Sequence, residues 1–178
     1  MSRRINGNNP IMNSVYCGGR FDFDYQNEGY IEKATQDYRA ILLGDVNLLL
    51  KSSSPVQISG NLLYVGPFYF ETDGMLDQDI VETEIRQIEK CTAAVFLLDN
   101  CACPGTIAEM VYAASLKKKM VIAYLIDENE TESTLRSSCW YPIILCQKIS
   151  SSEIQLLPYN NYSEGRQKIL DYIQNELI

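Results

Sequence analysis

The sequence predicts an α/β fold in which a parallel sheet carries helices on both faces, in three layers. Three observations lead there. Short continuous apolar runs, such as Leu62 to Val65, Thr92 to Leu98 and Met120 to Ile126, alternate with helical patterns. Runs that are apolar throughout mark strands covered on both sides, as parallel strands are. The chain has 178 residues, of which 46% are hydrophobic and 21% charged, enough apolar side chain for one core and too few residues for two large domains.

Residues 1–12 read as a loose polar tail and 13–178 as one domain. Ser14-Val-Tyr-Cys17 is a short buried strand that runs into the permissive turn Gly18-Gly19-Arg20. From Gln36 to Leu50, apolar residues at Tyr38, Ile41, Leu42, Val46 and Leu49 recur at helical spacing, with Gly44 a weak point; Ser52-Ser-Ser-Pro55 ends the helix. Leu62 to Val65 is a second strand, closed by Gly66-Pro67 and the aromatic turn Phe68-Tyr69-Phe70. A helix over 77–90 follows, with Ile80, Val81, Ile85, Ile88 and Cys91 on one face, and then a strand over 92–98. The loop from Asp99 to Pro104 leads to a helix opening at Gly105-Thr106. Met120 to Ile126 is a further strand, 127–134 a polar loop and Pro142 to Cys146 a last short strand. A closing helix from about Ser163 sets Ile169, Leu170, Ile173 and Leu177 on one side. Right-handed crossovers turn this order into an open, doubly wound sheet, whose ligand sits outside the carboxyl ends of the strands. The turns after Cys17 and Val65 and the loop 99–106 are therefore expected to share one site.

Composition removes whole classes of chemistry. The chain contains no histidine, which excludes His-based triads, His-containing metal sites and the usual neutral-pH acid/base group. A net charge of −8 leaves no surplus of cations for a phosphate backbone or an anionic membrane, so neither nucleic acid nor membrane is expected as a partner. No apolar run approaches the ~20 residues of a membrane span. Six cysteines without a secretory leader suit free thiols in a reducing cytoplasm. Cys101-x-Cys103 is too sparse for a metal site, and neither metal nor cofactor is expected.

Chemistry must then come from carboxylates, tyrosine, cysteine, lysine or backbone. Thr106-x-x-Glu109 reads in two ways: as a capping box whose Glu only satisfies backbone N–H groups, or as a carboxylate at a helix start aimed into the cleft, where it can act as a nucleophile. Spacing alone favours the cap. Glu84 falls within the apolar stripe of its helix, where a carboxylate needs either a partner, a function or access to water at the stripe's margin.

Tyr16-Cys-Gly-Gly-Arg20, Glu84-x7-Thr92 and Pro-Gly-Thr-Ile-Ala-Glu109-Met-Val-Tyr-Ala-Ala together resemble the nucleoside 2-deoxyribosyltransferase family and the related deoxynucleoside 5′-monophosphate N-glycosidases. The resemblance spans about Val15 to Ile126. It implies a Rossmann-like, flavodoxin-like sheet, a homo-oligomer, and a nucleoside or nucleotide substrate whose N-glycosidic bond is cleaved or transferred through a covalent glycosyl-enzyme. It makes Glu109 the nucleophile and Tyr16 its neighbour, and puts Glu84 where the family usually has an aspartate acid. Gly18, Gly19 and Arg20 match the turn facing the sugar's 5′ end, where an arginine can grip a phosphate. Gly105 and Thr106 belong to the substrate-binding helix start. Members acting on free nucleosides often carry an acid at the position of Cys103, and Asp99 is the nearby substitute. Phe68, in its aromatic turn, offers a face for the base, with core packing as the plainer role. Two alternatives stay open: a phosphoribohydrolase of the cytokinin-activating type, and a non-catalytic nucleotide sensor on the same fold.

Overall fold

The structure is a computed structural model, which describes residues 13–21, 27–69, 77–98, 103–126, 140–150 and 154–178. Six strands form a single sheet: β1 (Asn13–Gly19), β2 (Val56–Ser59), β3 (Leu62–Gly66), β4 (Ala93–Leu98), β5 (Lys119–Leu125) and β6 (Ile154–Tyr159), in the order β2-β3-β1-β4-β5-β6. All neighbours run parallel except β2, which pairs antiparallel with β3 at the edge. The parallel strands thus follow the flavodoxin-like doubly wound order, and the chain changes direction across the sheet between β1 and β4. A ligand crevice belongs at the carboxyl ends of those two strands.

The helices are α1 (Tyr30–Thr35), α2 (Tyr38–Leu43), α3 (Val46–Lys51), α4 (Asp77–Lys90), α5 (Pro104–Ser115), α6 (Trp140–Ile149) and α7 (Tyr162–Tyr172), the last running into a π-helical turn over Ile173–Leu177. Side-chain alternation along the central strands assigns them to two layers. Val15, Cys17, Val95, Leu97, Val121 and Ala123 point to the side covered by α1–α3 and α7. Tyr16, Ala94, Phe96, Leu98, Met120 and Ile122 point to the side covered by α4, α5 and α6. Both sides are apolar, so the strands read as continuous runs in sequence.

Register between β1 and β4 is fixed where they begin. The Ser14 N–H donates to Thr92 Oγ1 (2.8 Å), and the Thr92 hydroxyl donates back to the Ser14 carbonyl (2.9 Å). From there Tyr16 lies beside Ala94 and Gly18 beside Phe96.

Several elements differ from the sequence expectation. The helix over 36–50 is α2 and α3 separated by Gly44, whose φ of 71° ends α2 in the left-handed region glycine accepts without strain. Asp37 and Asp45 cap the two pieces, accepting from the N–H groups of Arg39 and Asn47. That break turns the predicted stripe, leaving Ile41 half exposed. The strand expected over 142–146 is α6. Its buried Ile143 and Cys146 are three apart, and Pro142 sits in the first turn, where no N–H is required. The edge hairpin strand β2 and the last strand β6 are additional. On α4 only Gln87 and Ile88 are buried, so the helix meets the sheet with its last turns, and Val81 and Ile85 are 53% and 37% exposed. The polar loop expected over 127–134 lies outside the described residues.

Candidate active site

Three elements bring Tyr16, Glu84 and Glu109 together at the crevice. Tyr16 and Gly18 are two apart on β1 and share the face turned to α4 and α5. Tyr16 is fully buried and its ring lies 6.2 Å from that of Phe96. Gly18 has no side chain, and the Glu109 carboxylate takes the space: a Cβ on Gly18 would stand 3.1 Å from Glu109 Oε2. From α4, the Glu84 carboxyl comes within hydrogen-bonding reach of Glu109.

Glu109 is not a cap. α5 begins at Pro104, with Cys103 at the N-cap position, so Thr106 is already the third helical residue and Glu109 the sixth. Proline belongs at this first position because its missing N–H would be unsatisfied anyway. The capping-box geometry therefore does not form, and the Glu109 side chain projects from the second turn toward Gly18. The helix dipole acts chiefly within the first turn and does not set the state of this carboxylate. Burial does.

Burial pushes the ionisation of Glu109 above the usual carboxylate range, while Tyr16, Arg39 and Glu84 pull it back. Burial, together with the neighbouring Glu109, pushes Glu84 up to about 7. Both carboxyls are thus raised, and they titrate as a coupled pair. The Tyr16 hydroxyl approaches Glu109 closely enough that each perturbs the other's ionisation, but forms no hydrogen bond of full geometry; burial and the two glutamates hold its proton on.

The turn after β1 is fixed from the opposite layer. The Tyr38 hydroxyl donates to the Gly18 carbonyl (3.0 Å). Arg39, fully buried, donates through Nη1 to the Gly19 carbonyl and through Nη2 to the Arg20 carbonyl, each at 2.9 Å. Its Nε and Nη2 also grip the Asp37 carboxylate at 2.8 and 2.6 Å, and its guanidinium stacks 3.6 Å from the Phe21 ring centroid. These residues escaped the sequence reading. Asp37 and Arg39 are two apart, a spacing that does not form a helix-surface pair; the legible signal was only that Asp37 suits an N-cap.

Among the other expected site residues, Gly19 is half-buried and Arg20 exposed at the same turn. Gly105 is exposed in the first turn of α5, and Thr106 is buried there. Phe68 is 2% exposed and packs edge-on against Tyr64 at 5.1 Å, so its ring presents no face to a base. The carboxyl end of β3 draws it inward, leaving its neighbour Tyr69 half-buried against Phe21 at 5.3 Å. Asp99 lies outside the described residues. No cluster of three or more potential metal ligands occurs among the described residues.

No known protein family matches the chain by sequence, and no curated protein does. In structure the chain is similar to a CMP N-glycosidase, BcmB, from Clostridium botulinum, with 16% identity, a TM-score of 0.49, and 89% of this chain and 98% of that one covered. It is also similar to translation elongation factor SelB from Methanococcus maripaludis, with 10% identity, a TM-score of 0.43, and 91% of this chain but 34% of that one covered.

Proposed function

We propose that the chain cleaves or transfers the N-glycosidic bond of a 2′-deoxyribonucleoside or its 5′-monophosphate, through a covalent glycosyl-enzyme on Glu109. The observation that carries this reading is the carboxyl pair, in which burial and mutual proximity push Glu84 up to about 7 beside Glu109, itself raised by burial and steadied by Tyr16 and Arg39. Two carboxyls whose environments separate their protonation states divide into an acid and a nucleophile.

Glu109 attacks the anomeric carbon, forming a C–O bond as the C–N bond to the base breaks. The bonding pair leaves on the base nitrogen, which takes its proton from Glu84. In the second half, water or a second base attacks the same carbon, its proton passes to Glu84, and the ester to Glu109 opens. Two displacements preserve the anomeric configuration. Glu84 and Glu109 act directly on each other's ionisation, which supports a route in which both take part. Tyr16 keeps its own proton and steadies the attacking oxygen.

The same reading includes a homo-oligomer, supported by Val81 and Ile85 of α4, apolar side chains that a facing subunit would cover.

Chromatography of the purified protein, whose mass in solution is measured first, with each deoxynucleoside and its monophosphate tests the reading. The panel also contains cytidine 5′-monophosphate, is run with and without a second free base, and includes a Glu109→Gln control. Base release or exchange that vanishes in the control is the expected result, with a sugar-sized mass increment on the wild-type protein after an acid quench. Intact substrates throughout would overturn the reading and leave a nucleotide-binding sensor.

A further inference from the structure

Arg39 stands across the sheet from the carboxyl pair, in the other layer of the fold, yet two of the groups it holds, the Gly19 and Arg20 carbonyls, belong to the turn beside that pair. It is fully buried, as is Tyr38, and the Asp37 beside them is 5% exposed. Between them, Tyr38 and Arg39 take the carbonyls of three consecutive residues, Gly18, Gly19 and Arg20. In a trans peptide the N–H points opposite to the C=O. Drawing these carbonyls toward α2 therefore directs the far ends of the same peptides away from α2. Gly18, the first residue so held, is the one against which the Glu109 carboxylate lies. The guanidinium is itself immobilised by its two-pronged grip on Asp37 and by the Phe21 ring, so the turn is tied to a rigid group.

Charge points the same way. Among the described residues, the ionisable groups acting on the pair are Tyr16 on β1 and Arg39 on α2, with Tyr64 on β3 acting on Tyr16 and Asp37 bound to Arg39 at 2.6 Å. Among the described residues, Arg39 is the one cation in that set, and it favours the ionised form of both glutamates. Nothing else found there offsets the burial of Glu109 with a positive charge.

We propose that Arg39 is the positioning residue of this site, fixing the backbone of the Gly18–Arg20 turn from inside the fold and standing as a buried positive charge behind the Glu84–Glu109 pair. The proposal rests on the glycosyl-transfer reading for its catalytic meaning, and its two halves are separable by substitution. Arg39→Lys keeps the charge but has no fork to span two carbonyls and Asp37 at once. Asp37→Asn with Arg39→Met removes the charge together with its counter-ion, so no unpaired charge is left inside the fold.

The experiment follows both variants by thermal melting, by the pH dependence of base release, and by carbon-13 titration of the labelled glutamate carboxyls, assigned with Glu84→Gln and Glu109→Gln. In the folded double variant the pair's titration is expected to move upward. In Arg39→Lys the titration stays in place, while KM for the nucleoside rises about tenfold or more and kcat changes less, because the turn that meets substrate has lost its anchor. A purely structural arginine would lower the melting temperature of both variants and move neither the titration nor KM; folded variants behaving so would overturn the proposal. The titration needs no substrate. If no nucleoside is cleaved, the glycosyl-transfer reading fails while the effect of Arg39 on the pair is still measured.

Discussion

Gly18 is a residue on which the fold and the candidate site make a joint demand, and Gly18→Ala measures it. The added methyl would lie 2.4 Å from Phe96 Cδ1, 2.5 Å from Phe96 Cε1 and 3.1 Å from Glu109 Oε2. Carbon atoms settle at ~3.5–4.0 Å, so the Phe96 ring must retreat by about 1 Å. It has little freedom to do so, being fully buried on a central strand, with Tyr16 already against it. Overpacking of this kind costs ~1–3 kcal/mol. For a chain of this size each kcal/mol lowers the melting temperature by ~2–4 °C, giving a fall of about 2–12 °C. Under the proposed reading the methyl also crowds the attacking oxygen, and a 1 Å misplacement at a reacting centre costs ~10²-fold in rate. Calorimetric melting, with kcat/KM for base release, checks both figures. A variant that melts within about 1 °C of wild type and retains its activity would refute the packing argument and the position of Glu109 together.

Glu84→Gln tests the proton assignment. Glu84 is held protonated up to about pH 7, above its ordinary 4.5, so the folded state binds the extra proton in that window and stability falls as pH rises through it. The Gln variant lacks this loss: it should match wild type in melting at pH 4 and exceed it at pH 8, with the alkaline limb of the pH–rate profile gone and kcat reduced ~10²–10⁴-fold. Equal melting at pH 8 would remove the basis for Glu84 as the acid. Tyr16→Phe deletes a buried hydroxyl that makes no full hydrogen bond, so melting should stay level or rise while base release slows. A marked drop in melting temperature would make the tyrosine structural instead.

The order of the central elements was legible because their apolar runs are continuous and their helices regular: α4 occupies the expected 77–90, and β4 starts one residue later than expected. Helix–strand ambiguity arose where the signal is intrinsically weak. The run around Pro142 to Cys146 satisfies a buried strand and a buried helix turn equally, and only the packing of Ile143 and Cys146 decides between them. At the candidate site, Glu84, Glu109 and Tyr16 could be singled out one by one, but their convergence depends on β1 lying between β3 and β4, a matter of strand order that local pattern does not contain. Capping and catalysis were inseparable for Glu109 until the helix start was known. Pro104 moves that start two residues ahead of Thr106 and releases the carboxylate from the backbone. Phe68 failed for a related reason: an aromatic turn does not say which ring faces inward.

Under the glycosyl-transfer reading, a chain without histidine still needs a group that exchanges protons near neutrality, and the Glu84–Glu109 pair in its half-buried crevice is what the reading assigns to that task. Neither glutamate would titrate near pH 7 alone in water. Burial raises both, and Glu84, with Glu109 beside it, is pushed up to about 7, the range a histidine occupies. Such a pair is useful only if its members stay unequal. The asymmetry comes from position: Glu109 lies deeper, with Tyr16 at its side and Gly18 leaving room for its oxygen, whereas Glu84 approaches from a helix that meets the sheet only with its last turns. Replacing Gly18 would therefore crowd Glu109 and not Glu84, and replacing Arg39 would withdraw the one cation, among the described residues, that acts on both.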